Sequence, residues 1–446
     1  MSIKNMFSLA SEKKDATFEP KTEHSNFYHE VKRKIHGRLV EEANLAALDT
    51  LEPEEIRSEI ENVVEYYLRE EKALLNDDER KLIIDEILDE LTGLGPLEPF
   101  FKDPTVSDVM VNTYKDIYVE RFGLIEKTKS RFVDDVHLRN IIDRIISRVG
   151  RRIDESSPMV DARLPDGSRV NAIIPPLAID GPMLSIRRFA VVPLEMNDLI
   201  NYQTLTPEIA QLLAGCVKAK LNIMISGGTG AGKTTLLNIL SANIPANERI
   251  ITIEDSAELQ LQQPHVIRLE TRPPSIEGSG QVTQRDLVRN SLRMRPDRIV
   301  VGEVRGAEAF DMLQAMNTGH DGSLTTIHSN SPRDSLTRLE SMILMTGVNL
   351  PENAMRFMIS SALDLVIQAS RMTDGTRKIT SVAEVVGMEG DVITLQEIFT
   401  FDRKGIDKDG KVVGRHRSTG IRPRFTDRLE MAGIDVPENL FTGYIG

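Results

Sequence analysis

The fold is decided by residues 221–234, which read LNIMISGGTGAGKT, and by the run TLLNIL at 235–240. Apolar side chains dominate the first six residues, a pattern typical of a buried strand. The next eight residues, 227–234, match G-x-x-x-x-G-K-T in full, and the run after them has the composition of a helix. A buried strand that turns through glycines into a helix is the context that gives this pattern its meaning. Residues 227–234 therefore predict a phosphate-binding P-loop.

The positions of the predicted P-loop have distinct physical roles. Glycines let the backbone amides turn inward around the phosphates because no Cβ is in the way. The start of the following helix adds unpaired amides and the positive end of its dipole. Lys233 is expected to place its charge on the β- and γ-phosphates, and the Thr234 hydroxyl is expected to ligate Mg²⁺, so ATP and Mg²⁺ are the predicted ligands. The predicted nucleotide-binding residues are Gly227, Gly228, Thr229, Gly230, Ala231, Gly232, Lys233, Thr234 and Thr235.

Two carboxylates at the ends of strand-like runs are the candidates for hydrolysis, which needs an oriented water and neutralised phosphoryl charge. Glu254 follows residues 251–253, and Glu303 follows residues 298–302. Many P-loop proteins have a metal-binding Asp where this chain has Gly302. We therefore expect Glu303 to reach Mg²⁺ through water and Glu254 to orient the attacking water. The two roles could be exchanged, and either group could be a solvated carboxylate at a strand end.

One histidine and six arginines complete the candidate set. His328 ends the strand-like run 324–328, where a polar residue can sense the γ-phosphate, although a single histidine is more often structural. An arginine donated across a subunit boundary can stabilise charge in the transition state. A surface or interface position is the alternative for each of these arginines. The candidates are Arg163, Arg169, Arg187, Arg188, Arg268 and Arg272.

The length of 446 residues predicts two or three domains. Polar residues 1–26 are expected to form a disordered tail, and apolar residues at three- and four-residue steps predict a helical bundle over 27–94. Strand-like runs around one helical pattern indicate a smaller mixed α/β domain at 95–194, and residues 195–206 are interpreted as a linker. Residues 207–446 alternate strand and helix patterns, which predicts an α/β fold with a RecA-like, doubly wound P-loop domain and a C-terminal extension.

Composition excludes several classes of protein. A net charge of -13 and a pI of about 5.3 argue against non-specific binding to nucleic acid, which depends on Lys and Arg. Cys216 is the only cysteine, so neither an intramolecular disulfide nor a cysteine-built zinc site can form. The amino-terminal residues lack the apolar core of a secretory signal, and no run approaches the ~18 to 20 apolar residues of a membrane-spanning helix. A cytoplasmic protein is expected, held at a membrane only through a partner.

Further segments resemble the secretion-ATPase superfamily that powers type II secretion, type IV pili and type IV secretion. More narrowly, the chain resembles the Flp/Tad pilus assembly ATPases, the CpaF family, over about residues 30–446. The resemblance implies an Asp box with Glu254, Asp255 and Glu258, an atypical Walker B motif with Glu303, and a His box with His320 and His328. The segments that carry it are GLGPLE at 93–98, VSDVMVN at 106–112, LETRPP at 269–274, RMRPDR at 293–298 and QAMNTGH at 314–320.

The resemblance also implies an assembly and a task. It implies a homohexameric ring with ATP at the cleft between the N- and C-terminal domains, completed by arginines of a neighbouring subunit. The implied task is to couple hydrolysis to domain motions that drive an inner-membrane platform protein and so move pilin subunits in assembly, with retraction as a further option.

Alternatives within and outside the superfamily remain open. Type II secretion ATPases and many type IV pilus extension ATPases carry a four-cysteine zinc module, which the single Cys216 rules out. The helical N-terminal region and residues 420–441 favour the Flp/Tad type, with a type IV secretion ATPase as second choice. A nucleic-acid translocase is opposed by the acidic charge and by the lack of a basic, aromatic strand. A nucleotide-dependent switch with negligible turnover is the third class.

Overall fold

The computed structural model describes residues 31, 34–35, 53–70, 75–121, 123–188, 194–272, 274 and 279–443. These residues form two compact units. The first contains the described residues up to Val119 together with Lys127–Ala162 and Val170–Ser185. The second contains the described residues of Glu120–Glu126, Arg163–Arg169 and the chain from Ile186 onward. The predicted disordered tail, residues 1–26, lies outside the described residues.

Two helices begin the first unit, α1 (Pro53–Glu70) and α2 (Asp77–Thr92). Their apolar residues recur at three- and four-residue steps, so each helix has one face that water does not solvate well. These faces are buried together in one cluster with Val31 and Ile35. The helical pattern predicted here is confirmed for the described residues. The buried residues of α1 and α2 in this cluster include Ile60, Val64, Tyr67, Leu68, Ile83 and Ile87.

Most of a six-stranded sheet, in the order β3-β2-β1-β6-β5-β4, belongs to the first unit. The sheet residues within Glu120–Glu126 and Arg163–Arg169 and from Ile186 onward are assigned to the second unit. A short 3₁₀ turn (Gly95–Leu97) and α3 (Glu98–Lys102) lead into the sheet. Helix α4 (Asp135–Arg148) is capped by the Asp134 side chain and buries Ile141, Ile142, Ile145 and Ile146. The strands are β1 (Val106–Thr113), β2 (Asp116–Arg121), β3 (Leu124–Lys127), β4 (Met159–Arg163), β5 (Arg169–Ile173) and β6 (Met183–Arg187).

The second unit contains a nine-stranded sheet in the order β15-β14-β13-β12-β7-β11-β10-β8-β9. The six strands from β12 to β9 are parallel, and β13, β14 and β15 form an antiparallel meander beside them. The strands are β7 (Ile223–Gly227), β8 (Ile250–Glu254), β9 (Val266–Glu270), β10 (Arg298–Val304), β11 (Leu324–His328), β12 (Leu365–Arg371), β13 (Arg377–Glu389), β14 (Val392–Ile406) and β15 (Val412–Ser418).

Helices cover both faces of this sheet, as a buried parallel sheet requires. Alternate residues of β7 point to opposite faces, so Ile223 and Ile225 join one apolar cluster and Met224 joins another. The helices are α5 (Met196–Asn201), α6 (Pro207–Lys218), α7 (Lys233–Ser241), α8 (Gln284–Ser291), α9 (Glu308–Asn317), α10 (Pro332–Leu344), α11 (Glu352–Ala362) and α12 (Thr426–Met431), and a 3₁₀ turn follows at Glu438–Phe441.

The predicted α/β fold with a doubly wound parallel sheet is confirmed, with two differences. The connection from β8 to β9, which pair in parallel at the edge of the sheet, contains no helix. The meander of β13, β14 and β15 was not predicted as part of the sheet. Its strands extend the parallel sheet beyond β12, which pairs with β7 on one side and β13 on the other.

Residues 195–206, predicted to be a linker, belong to the second unit. They contain helix α5, and Leu199 and Leu205 are buried in the apolar cluster beside β7. The backbone N–H of Ile379 donates to the Thr204 carbonyl oxygen at 2.9 Å. The stretch resembled a linker because a helix of six residues is too short to show helical periodicity in its apolar residues.

The C-terminal extension is an integral part of the second unit. Phe425, Leu429 and Phe441 are buried in the same apolar cluster as helix α6 and strand β7. Arg428 on α12 donates to the Asp364 carboxylate at 2.6 Å, at the start of β12. In the described part of the chain, no helix is both long enough and apolar enough to cross a membrane.

Candidate functional site

The carboxyl ends of four parallel strands bring the predicted residues together. Strand β11 pairs with β7 in a register that sets His328 opposite Gly227, the first residue of the P-loop. Strand β10 pairs with β8 up to Val301 opposite Ile253, so Glu254 follows directly at the end of β8. Ligands of open parallel sheets bind outside the carboxyl ends of the strands. The sheet order therefore gathers the P-loop, both carboxylates and His328 at one edge.

The P-loop adopts the conformation that its glycines allow. Gly232 has φ of +89° and precedes helix α7, which begins at Lys233 with unpaired amides. A Cβ at Gly227 would lie 2.5 Å from the Ala369 carbonyl oxygen, so this position requires glycine. Lys233 Nζ donates to the Gly228 carbonyl oxygen at 3.1 Å. Lys233 thus contacts the P-loop itself. Its charge would help the loop to bind phosphate.

Glu254 is a buried carboxyl group with one oxygen left without a partner. Its side chain is only 3% exposed, and its Oε1 accepts the backbone N–H groups of Glu258 at 2.8 Å and Leu259 at 3.0 Å. Its Oε2 is buried and has no hydrogen-bond partner among the described residues. Burial raises the pKa of Glu254 to about 7, against the lowering effect of the two amides. This pKa suits a group that exchanges a proton near neutral pH.

Gly302 leaves the space that the Glu254 side chain occupies. A Cβ at residue 302 would lie 2.9 Å from Glu254 Cγ. The Thr326 hydroxyl donates to the Gly302 carbonyl oxygen at 2.7 Å and holds this part of β10 in place. An aspartate at residue 302 would therefore displace Glu254. This close approach gives a physical reason for the glycine where many P-loop proteins have Asp.

Glu303 lies between a lysine and an arginine. Its Oε1 is 3.8 Å from Lys233 Nζ, and its Oε2 accepts Arg305 Nη2 at 2.6 Å and Nε at 2.9 Å. Burial lowers the pKa of Lys233, and the charge of Glu303 partly offsets that effect. Arg305 also lies 3.5 Å from the Asp255 carboxylate. Arg305 was not among the predicted residues, although its spacing of two from Glu303 is the spacing of side chains on one side of a strand.

The two histidines of the predicted His box lie at opposite ends of β11. His328 ends the strand beside the P-loop, and the next residue, Ser329, donates its N–H to the Gly227 carbonyl oxygen at 3.3 Å. His320 precedes the strand, and the Ser323 hydroxyl donates to its carbonyl oxygen at 2.8 Å. Its Nδ1 is buried and unpartnered within the described residues. Of the two, the structure places only His328 at the candidate site.

Three of the six predicted arginines contact the loop that follows Glu254. Arg163 donates to the Ala257 carbonyl oxygen at 2.8 Å, and Arg268 lies 3.4 Å from the same oxygen. Arg169 donates to the Ser256 carbonyl oxygen at 2.9 Å. Because the amides of the same loop hold the Glu254 carboxylate, these arginines also contact its supporting backbone. Each of the three does so within its own chain.

The other three predicted arginines have different positions. Arg187 ends β6 and lies close enough to Lys233 for its charge to contribute to the lowered pKa of that lysine. Arg188 follows directly and is half-buried. Arg272 donates to the Gly280 carbonyl oxygen at 2.6 Å. A role across subunits stays a prediction for all six.

Two further arginines lie at the P-loop, and the sequence analysis did not predict them there. Arg371 ends β12 and Arg377 begins β13, directly opposite each other. Arg377 Nε donates to the Gly230 carbonyl oxygen at 3.1 Å, and a Cβ at Gly230 would lie 3.3 Å from Arg371 Nη1. The turn MTDGT between them is a hairpin signal. That signal predicts the pairing of the arginines but not their place beside β7.

The donor groups at this edge suit Mg²⁺ bound together with a nucleotide. Mg²⁺ prefers oxygen ligands and is usually held by one or two carboxylates, water and substrate phosphates. The Thr234 hydroxyl at the start of α7 and the Glu303 carboxylate are oxygen donors of this kind. Among the residues that the structure describes, no cluster of three or more His, Cys, Asp or Glu side chains could hold a metal alone. Most ligands would therefore come from the nucleotide and water.

Comparison with known proteins assigns a family. Residues 90–413 match the family model described as Type II/IV secretion system protein, and residues 28–92 match that of the Type II secretion system protein E, N-terminal domain. A Mycobacterium tuberculosis protein that carries the name of a conjugal transfer protein is 38% identical over 309 residues, which cover 68% of this chain and 87% of the relative. The conjugal transfer protein TrbB of Rhizobium radiobacter is 33% identical over 292 residues, 65% of this chain and 85% of TrbB.

A solved structure is similar as well. The VirB11 ATPase from the Brucella suis type IV secretion system, in complex with sulphate, is 31% identical, with coverage of 65% of this chain and 95% of that structure and a TM-score of 0.35. The match to the family model extends over more than half of this chain. The chain belongs to the type II/IV secretion system protein family.

Proposed function

We propose that this protein hydrolyses ATP with Mg²⁺ at the P-loop and uses the free energy as a motor. One observation carries the proposal: a buried carboxyl group, Glu254, ends a strand at the same carboxyl edge of the sheet as a complete P-loop, and its Oε2 has no hydrogen-bond partner among the described residues. An unsatisfied buried oxygen costs free energy in the protein alone. A water molecule in line with the γ-phosphate would satisfy it. Glu254 would orient this water for attack.

The geometry of the site supports the proposed roles of its residues. Lys233 would bind the β- and γ-phosphates once it releases the Gly228 carbonyl oxygen. Bound Mg²⁺ would neutralise charge on the phosphate oxygens, held by the Thr234 hydroxyl and, through water, by Glu303. Glu254 would accept a proton from the attacking water, which its pKa of about 7 permits. His328 would contact the γ-phosphate from the end of β11.

Steady-state ATP hydrolysis by the full chain tests these roles. Lys233→Ala is expected to abolish nucleotide binding, whereas Glu254→Gln and Glu303→Gln should retain binding and lose hydrolysis at least tenfold. Glu389→Gln changes an exposed glutamate at the end of β13 and serves as the matched control. Retention of full hydrolysis in both the Glu254 and Glu303 variants would contradict the assignment. Wild-type protein that binds ATP without turnover would favour the nucleotide-dependent switch.

For the cellular task we propose a homohexameric motor of Flp/Tad pilus assembly, with retraction as a further option. It would act in the cytoplasm on an inner-membrane platform protein and couple hydrolysis to domain motion. Two sequence features support this choice. The N-terminal domain model of type II secretion protein E matches residues 28–92, and residues 414–446 extend past the main family match. Light scattering with and without ATP measures the expected hexamer.

A type IV secretion ATPase is the second candidate, and the names of the relatives support it. TrbB is named as a conjugal transfer protein, and VirB11 is titled as part of a type IV secretion system. Replacement of the chromosomal gene by a Lys233→Ala allele separates the two. Loss of surface pili with normal plasmid or effector transfer supports the pilus motor, and the reverse result supports secretion. Strong stimulation of ATP hydrolysis by single-stranded DNA would favour a nucleic-acid translocase over both.

A further inference from the structure

We infer that Arg371 and Arg377 bind the phosphate chain of the nucleotide within the same subunit. The inference rests on the proposed binding of ATP at the P-loop and extends it to a second set of cations. Sheet order puts these arginines on the other side of β7 from the carboxylates, because β12 pairs with β7 on one edge and β11 pairs with it on the opposite edge. Glu254 and Glu303 therefore face the reacting phosphate from one side and the arginine pair approaches from the other.

The register between β12 and β7 fixes where the pair lies. Ala369 is opposite Gly227, so β12 reaches the start of the P-loop two residues before Arg371. Arg377 donates its Nε to the Gly230 carbonyl oxygen, and its Cδ would lie 3.5 Å from a Cβ at Gly232. Both guanidinium groups thus lie against the glycine turn whose backbone amides are the phosphate ligands of a P-loop.

The charges of the pair indicate an anionic ligand. Like charges directly opposite each other on neighbouring strands are destabilising, and Arg371 and Arg377 are such a cross-strand pair. Their side chains are 31% and 37% exposed, so neither is sequestered from a ligand. Planar guanidinium groups bind phosphate oxygens in a fork geometry that a lysine cannot reproduce. An anion with several oxygens would relieve the repulsion between them.

Glu120 is the counterion of the pair in this structure. Its carboxylate oxygens lie 4.0 Å from Arg371 Nη1 and 3.8 Å from Arg377 Nη2. Charge-assisted hydrogen bonds between such groups are ~2.7–2.9 Å long, and these two distances are longer. Phosphate oxygens can replace them at shorter distance. Nucleotide binding therefore competes with Glu120, and the pair contributes to affinity rather than to activation of water.

Displacement of a fluorescent ADP analogue from the full chain tests the inference, with ADP and inorganic pyrophosphate as competitors. Arg371→Gln and Arg377→Gln are each expected to raise the Kd for both competitors about tenfold, the effect of one lost charged hydrogen bond. Arg371→Lys and Arg377→Lys keep the charge and should lose less affinity. Glu120→Gln removes the competing anion and should lower the Kd. Arg403→Gln, an exposed position on β14, is the matched control.

The possible results separate this inference from the proposed function. An unchanged Kd in both glutamine variants, with binding lost in Lys233→Ala, would overturn the role of the pair and leave ATP binding at the P-loop intact. Failure of the wild-type chain to bind ADP would overturn the proposed function itself. A raised Kd for ADP with an unchanged Kd for pyrophosphate would move the contact to the base or ribose and overturn the phosphate role. A lower melting temperature with unchanged Kd would show a structural role and would also count against it.

Discussion

The two ends of the parallel strands in the second unit differ in how completely their buried charges are paired. At the amino ends, Arg298 is fully buried and donates to both oxygens of Glu248, to the Gly322 carbonyl oxygen at 3.1 Å and to the Val217 carbonyl oxygen at 2.9 Å. At the carboxyl ends, Glu254 is almost as deeply buried but keeps one oxygen unpartnered among the described residues. The same sheet therefore satisfies one set of charges and leaves the other incomplete.

A second charge at the amino ends, on the half-buried Asp364, is paired as completely. Asp364, just before β12, accepts the backbone N–H of Asn222 at 2.7 Å through one oxygen and Arg428 at 2.6 Å through the other. Burial raises the pKa of Asp364, and the positive charge of Arg428 opposes that rise. Asn222 in turn donates its side-chain amide to the Ala362 carbonyl oxygen at 2.8 Å. These contacts join the start of β7 to the start of β12 and to the C-terminal helix.

The difference separates groups that stabilise the fold from groups that await a ligand. Breaking a fully paired buried ion pair leaves an uncompensated charge, so the amino ends should respond to substitution with loss of stability. An unsatisfied buried group already costs free energy, so its removal should spare stability and abolish chemistry. Substitutions at the two ends are therefore expected to affect different measurements.

The largest expected effect is on catalysis at the carboxyl end. Glu254→Gln keeps the size of the side chain and an oxygen that can accept the amides of Glu258 and Leu259, but it removes the base. We expect kcat for ATP hydrolysis to fall by about 10²–10⁴-fold, the usual contribution of a general base. Phosphate released at fixed times after quenching measures the rate of hydrolysis. Thermal unfolding should show no loss of stability in this variant. If this variant fails to fold, Glu254 stabilises the fold as the amino-end charges do, and the proposed difference between the two ends is wrong.

At the amino end, Arg298→Met is expected to affect stability most. The substitution leaves Glu248 buried without its main partner, which costs about 3–5 kcal/mol in the free energy of unfolding. Chemical denaturation monitored by circular dichroism measures this cost. The double variant Arg298→Met, Glu248→Gln removes both charges and should recover part of it. Equal stability of single and double variants would mean that the charge on Glu248 does not matter.

Gly302→Ala connects packing to catalysis at the carboxyl end. The added Cβ would lie 2.9 Å from Glu254 Cγ, so the glutamate side chain must move. We expect kcat to fall roughly tenfold and stability to fall by about 1–3 kcal/mol, as overpacking of a buried site does. In a Glu254→Gln background the same change should have little further effect on kcat, because the group that it displaces is already inactive. Additive losses in the double variant would show that Gly302 acts independently of Glu254.

The sequence predicted the carboxyl-end residues that lie next to recognisable strands. Lys233 and Thr234 belong to a contiguous motif, and Glu254, Glu303 and His328 each end a short apolar run. Parallel strands place their carboxyl ends together whatever the strand order, so these residues converge without any knowledge of the pairing. Local pattern was sufficient for them.

Residues that depend on strand order were not accessible from local pattern. Asn222 and Asp364 are 142 residues apart in the chain and meet only because β12 pairs with β7. Arg371 reaches the P-loop for the same reason. Residue 302 must be glycine because the side chain of Glu254 on the neighbouring strand occupies the adjacent space. The alternation of apolar residues along one strand carries no information about a side chain on the next. The positions of these residues therefore depend on long-range strand pairing and on side-chain volume.

A smaller effect is expected from pH at the carboxyl end. With a pKa of about 7 in the free protein, about a tenth of Glu254 is ionised at pH 6 and about nine tenths at pH 8. We therefore expect kcat/KM for ATP to rise about tenfold between these values, since the ionised form is the base. The residual activity of Glu254→Gln should lose this ascending limb. If kcat/KM still rises with pH in the variant, a group other than Glu254 is responsible for the rise.

The smallest expected effect is a gain in stability from Glu254→Gln at alkaline pH. The folded protein holds the Glu254 proton up to a pKa of about 7, against an ordinary pKa of 4.5 for an exposed glutamate. A raised carboxyl pKa contributes stability that is complete below pH ~4.5 and is lost as pH rises through ~7, because the unfolded chain ionises freely while the folded chain resists. At pH 8 wild type must bury the charge and glutamine does not, so the variant should be more stable by about 1–2 kcal/mol. Denaturation at pH 8 and at pH 4.5 measures the difference, which should shrink at the lower pH. A gain of the same size at both pH values would come from packing and not from the buried charge.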